Sequence, residues 1–105
     1  MPSGKFWSGT LPANADQDTG ATPDRKVRTV NVTVVNAGAV DATLKVYIGT
    51  SAAPADSDRI EPDLIVPAGG LYKLSGEPVG AGERVVLRAG AASLHARVSG
   101  FEEIA

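Results

Sequence analysis

The chain contains no cysteine, so neither a disulfide framework nor thiolate metal ligation is open to it. Histidine occurs once, at His95, which removes clustered imidazole sites and leaves one candidate for a histidine-based nucleophile relay. Aromatics are scarce, five in 105 residues, so any core must be assembled from small aliphatic side chains. No apolar run approaches the ~20 residues of a membrane helix, and the start, from Met1 to Trp7, lacks the apolar stretch of a signal peptide. Synthesis and folding in a cytoplasm is the resulting expectation, with no membrane contact. Lysines and arginines are scattered and the net charge is −2, which argues against nucleic acid as a partner. No window carries a ten-residue helical period.

What is present is glycine, proline and β-branched residues. The 12 glycines and 7 prolines follow no repeat, so they read as turns rather than as a fibrous pattern. From Lys26 the apolar residues recur every second position, the period of a strand with one buried face. Val30, Val32 and Val34 alternate with Thr29, Asn31 and Thr33; Ala42, Leu44, Val46 and Ile48 alternate with Asp41, Thr43, Lys45 and Tyr47. The turn residues Asn36-Ala37-Gly38 between them predict a hairpin. Further strands are expected over 59–66, 71–74, 83–89 and 93–99. Pro62 marks the first of these as an edge or bulged strand, and Ala89-Gly90-Ala91-Ala92 predicts a second hairpin. Turn signals at this spacing indicate an all-β, single antiparallel β-sandwich, jelly-roll or Ig-like. Residues 1–25 lack the alternation, which predicts an extended N-terminal arm before a sandwich domain over 26–105.

Chemistry-bearing residues are sparse. His95 alternates with Ser93 and Arg97 on the outward face of a strand, where no buried acid would orient it. Asn14, Asp16, Asp18 and Gly20 resemble the start of a calcium loop. The glycine falls one place late, however, and Arg25 stands where a bidentate glutamate is needed, so a solvated turn is the expectation. Asp56, Asp58, Glu61 and Asp63 form a second acidic run, suited to blocking unwanted pairing at a sheet edge. Gly80-Ala81-Gly82 reads as a turn, not a phosphate loop, and Asn31-Val32-Thr33 lies within a strand, a poor place for a glycan acceptor. No catalytic residue, cofactor or metal is expected. Phe6, Trp7 and Leu11 interrupt the polar N-terminal segment and are the candidate partner-docking residues, since desolvated aromatics anchor many interfaces. The competing reading has the two rings covering the chain's own sandwich.

Several segments carry a family likeness: Val30-Asn31-Val32-Thr33-Val34-Val35-Asn36, Leu44-Lys45-Val46-Tyr47-Ile48-Gly49-Thr50, Ala52-Ala53-Pro54-Ala55-Asp56, and the closing Ala96-Arg97-Val98-Ser99-Gly100-Phe101-Glu102-Glu103. In these the sequence resembles small virion-associated structural proteins of tailed bacteriophages. The resemblance implies a non-catalytic particle component: capsid decoration, neck or tail accessory, or fibre-attachment domain. It further implies location in the virion after synthesis in the host, contact with other virion proteins, and use in multiple copies. A homo-oligomer is expected, a trimer if the part is spike- or fibre-linked. The alternative from another class is a carbohydrate-binding or lectin-like sandwich, for which Tyr47 and Tyr72 are the mid-chain aromatics.

Overall fold

The computed structural model describes residues 3–61 and 63–104. Eight strands are present among them: β1 (Ser3–Thr10), β2 (Asp16–Ala21), β3 (Lys26–Asn36), β4 (Ala42–Gly49), β5 (Leu64–Val66), β6 (Leu71–Val79), β7 (Arg84–Ala89) and β8 (Leu94–Ile104). They form two four-stranded antiparallel sheets, ordered β1-β8-β3-β6 and β2-β7-β4-β5. First therefore pairs with last, second with seventh, third with sixth, and fourth with fifth. That is an antiparallel ribbon rolled on itself, and it makes the all-β sandwich a jelly roll rather than an immunoglobulin-like fold.

The alternation seen in the sequence sets which face is buried. Val30, Val32 and Val34 of β3 and Leu94, Ala96 and Val98 of β8 oppose Ala42, Leu44 and Val46 of β4 and Val85, Leu87 and Ala89 of β7. With so few aromatics, these small aliphatics interdigitate as a thin core. The predicted hairpins are corrected. β3 and β4 lie in different sheets, as do β7 and β8, and only β4–β5 joins hydrogen-bonded neighbours. The valines of β3 and the aliphatics of β4 thus meet face to face across the sandwich, not side by side.

Residues 3–25, within the segment expected as an arm, do not stand outside the sandwich. β1 adds to β8 and β2 adds to β7, so the N-terminal residues supply an edge strand to each sheet. Leu11, between them, is fully buried in the core and donates its N–H to the Leu94 carbonyl at 2.9 Å. Both strands are irregular, shifting register between Lys5 and Trp7 and between Asp18 and Ala21, which hides the two-residue period from a sequence scan. The expected third strand shrinks to Leu64–Val66, at a sheet edge as anticipated; Pro62 lies outside the described residues.

Tyr47, expected outward, is buried together with Val86, its register partner on the outer side of the β2-β7-β4-β5 sheet. The chain after β4 folds back there. Arg59 bridges Tyr47, and the Asp58 carboxylate sits so close over Gly49 that a side-chain carbon at 49 would meet it at 2.8 Å. A side chain there would force the Asp58 carboxylate to move.

Candidate functional site: the outer face of the β1-β8-β3-β6 sheet

Register fixes what this face presents. One row across the four strands reads Thr10, His95, Val35 and Leu71; the next reads Ser8, Arg97, Thr33 and Lys73. Beyond them, Lys5, Ser99 and Asn31 align. Val35 and Leu71 are 41% and 58% exposed, an aliphatic pair facing solvent beside a basic row. Further along β8, Phe101 is also largely exposed.

Between β1, β8 and β3 the face dips into a shallow, open groove of about 450 Å³. Ser8, Thr10, Thr33, Val35, His95 and Arg97 line it, with no carboxylate among them. Thr10 Oγ1 and His95 Nδ1 share a hydrogen bond of 2.9 Å, which holds the imidazole against the rim. His95 is exposed, as its place in the alternation predicts. Among the described residues no carboxylate lies within ion-pair distance of Arg97, Lys73 or Lys5. The groove offers hydroxyls, an imidazole and a free guanidinium over an aliphatic floor, which suits a carboxylate-bearing, partly apolar partner. A smaller depression of about 260 Å³ on the other sheet includes Asn14, Lys45 and Arg88. Its guanidinium is already committed, to Asp16 at 3.3 Å and to the Asn14 carbonyl at 2.8 Å.

The three docking candidates occupy other places. Leu11 is a core residue and offers no surface, a correction to its expected role. Trp7 packs half-buried on the core and lies over Gly9, where a side-chain carbon would touch the indole at 3.2 Å. Phe6 also packs on the core, with the Arg28 guanidinium 4.2 Å from its ring centroid. Arg28 in turn donates from Nε to Glu102 Oε1 at 2.9 Å, so ring, cation and buried carboxylate form one stack. Both rings cover the sandwich from which they extend.

The acidic runs have partners too. Asp18 pairs with Arg84 at 2.6 Å and accepts the Gly20 N–H at 2.9 Å. With Asp16 engaged by Arg88, the resemblance to a calcium loop dissolves into ion pairs between β2 and β7. Glu61 accepts the Tyr72 hydroxyl at 2.8 Å. Burial first, then that hydrogen bond and the charges of Glu61 and Glu77, push the Tyr72 phenol well above its ordinary value of 10.0. Among the described residues no group of three or more histidines or carboxylates is placed to hold a metal ion. Among the described residues no helix is long and apolar enough to cross a membrane.

No protein-family model and no curated protein matches the chain. Among solved structures, it is similar to the Anabaena sensory rhodopsin transducer, with a TM-score of 0.45 and 17% identity over 89% of this chain and 100% of that one. It is also similar to two structures of a pentameric capsid protein isolated from metagenomic phage sequences. These give TM-scores of 0.41 and 0.42 at 13% identity, over 96% of this chain and 62% and 63% of theirs. The jelly-roll assignment rests on this chain's own strand order.

Proposed function

We propose that the chain is a non-catalytic structural component of a bacteriophage particle, working by protein–protein assembly. The observation that carries this reading is the outer face of the β1-β8-β3-β6 sheet, where exposed aliphatics lie beside cations that have no carboxylate within ion-pair distance among the described residues. Such a face is a contact surface: broad, shallow and chemically mixed, unlike an enclosed reaction site. The rolled topology supports the same use, since capsid proteins are among the recurrent users of jelly rolls. His95 Nδ1, the position at which a nucleophile relay is oriented by a buried acid, is bonded instead to the Thr10 hydroxyl on an open rim.

A lectin-like role is favoured less. Tyr47 is buried and Tyr72 is half-buried with its hydroxyl held by Glu61, so neither is an open stacking platform. Mass spectrometry and immunogold microscopy of purified particles, from the phage that encodes the chain, test the proposal. Stoichiometric copies in the particle are expected. A chain found only in the lysate and never in particles would overturn it.

A further inference from the structure

The cations on the groove sheet stand in a chain whose net charge is −2, and its acidic residues are densest just before β5. Residues 56–63 hold four acidic residues against one arginine. This segment leads into an edge strand whose Ile65 is 66% exposed, two residues after Asp63. Asp63 is itself largely exposed; Arg59 engages its Oδ1 and leaves Oδ2 open among the described contacts. An acidic residue and an aliphatic one thus project from the β5 edge, while the groove sheet offers cations and aliphatics.

The two surfaces lie at opposite corners. The groove lies on the β1 side of one sheet, and β5 ends the other sheet on the side away from β2, the strand that follows β1. A single copy cannot bring its own β5 edge to its own groove, so a contact of these two surfaces is one between copies. We propose that the groove of one copy receives the Asp63–Ile65 edge of a second copy. Arg97 faces the carboxylate, and Val35 covers the isoleucine. The contact is heterologous, head to tail, so its repetition closes a ring or extends a chain. The charge pattern selects this register over its reverse, which would set Arg97 against Arg59. This inference rests on the assembly reading above and names its surface.

The test uses the full chain and its variants Arg97→Glu and Asp63→Arg, followed by native mass spectrometry and light scattering at micromolar concentrations. Both positions are exposed, so thermal melts of the variants should match the parent. The parent is expected to assemble, and each single variant to weaken assembly by tenfold or more. An equimolar mixture of the two variants should assemble again with alternating copies, because one contact is then native and the next is its charge-reversed image. A parent that stays monomeric at high concentration, or assembly indifferent to both substitutions, would overturn this interface. Occupancy of the chain in purified particles decides the assembly reading separately, since a monomer can still occupy a particle by docking on another protein.

Discussion

Asn36 Nδ2 donates to the Val66 carbonyl at 3.0 Å, tying the end of β3 in one sheet to β5 in the other. Its second N–H reaches the Val40 carbonyl at 2.8 Å. Its Oδ1 accepts the Gly38 N–H and the Ser93 hydroxyl, each at 2.9 Å. The backbone of Asn36 adds bonds to Gly69 and Gly70, both at 3.0 Å. One buried amide therefore fixes three connections that cross between the sheets.

Replacing Asn36 by alanine should destabilise the fold by about 3 kcal/mol or more, since several buried partners lose their bonds at ~1–3 kcal/mol each. Asn36→Asp should be at least as damaging, because it sets an acceptor against the Val40 and Val66 carbonyls. Denaturant unfolding measures both. A loss below about 1 kcal/mol for Asn36→Ala would refute the pillar role.

This residue marks where the sequence stops being legible. The alternation of Val30, Val32 and Val34, or of Leu94, Ala96 and Val98, shows which side is buried, and the structure agrees. Alternation does not say which strand lies alongside. A turn such as 36–41 serves a hairpin or a sandwich corner equally well, and here it makes a corner. β1 and β2 were hidden by their register shifts, and with them the true setting of Phe6, Trp7 and Leu11. The groove was legible only in fragments. His95 and Arg97 read as outward residues, but Ser8 and Thr10 come from the segment expected as an arm, and only pairing with β8 assembles them.

The Arg28–Glu102 pair makes a second prediction. Glu102 is 2% exposed, so Arg28→Met should leave an uncompensated buried carboxylate and cost roughly 3–5 kcal/mol. Adding Glu102→Leu should recover most of that loss, because removing both charges also removes the desolvation penalty. Thermal melts of the two single variants and the double variant check this. Failure of the double to recover would mean that the pair acts mainly through packing on Phe6.

Gly100 gives a sharper contrast. It has φ of +146°, and a side-chain carbon there would stand 1.9 Å from the Thr29 carbonyl oxygen, inside the β3–β8 pairing. Gly100→Ala should therefore prevent native folding, seen as lost soluble expression or lost near-UV dichroism. Gly76 also has a positive φ, +71°, but open space around it. Gly76→Ala should cost only about 1–2 kcal/mol, the backbone penalty alone. Equal effects at the two sites would contradict the close approach at Gly100.

Truncation tests the N-terminal strands. Removing residues 1–11 deletes β1 and the buried Leu11, so the remainder should lose its cooperative melt rather than survive as a folded domain without its arm. Trp7→Ala alone should destabilise by about 2–4 kcal/mol, somewhat less than for a fully buried ring. A truncated chain that melts cooperatively near the parent temperature would restore the idea of a separable arm.

Tyr72 predicts a dependence on alkaline pH. Its phenol holds its proton more tightly in the folded chain than in the unfolded one, where it titrates near 10. Below that pH both states are protonated and the contribution is fully present. Above it the unfolded chain releases the proton while the folded chain retains it, so stability falls as pH rises. The difference between the parent and Tyr72→Phe is the informative quantity, because it cancels every other effect of pH on the two chains. At pH 8 the variant should be less stable by about 1–3 kcal/mol, for the lost hydrogen bond to a charged acceptor. That gap should narrow steadily from pH 10 to pH 11.5, because only the parent has a phenol to lose. Urea unfolding at each pH measures the gap, and tyrosinate absorbance follows the titration directly. A gap that stays constant across the range would show that Tyr72 ionises as readily in the folded chain as in the unfolded one.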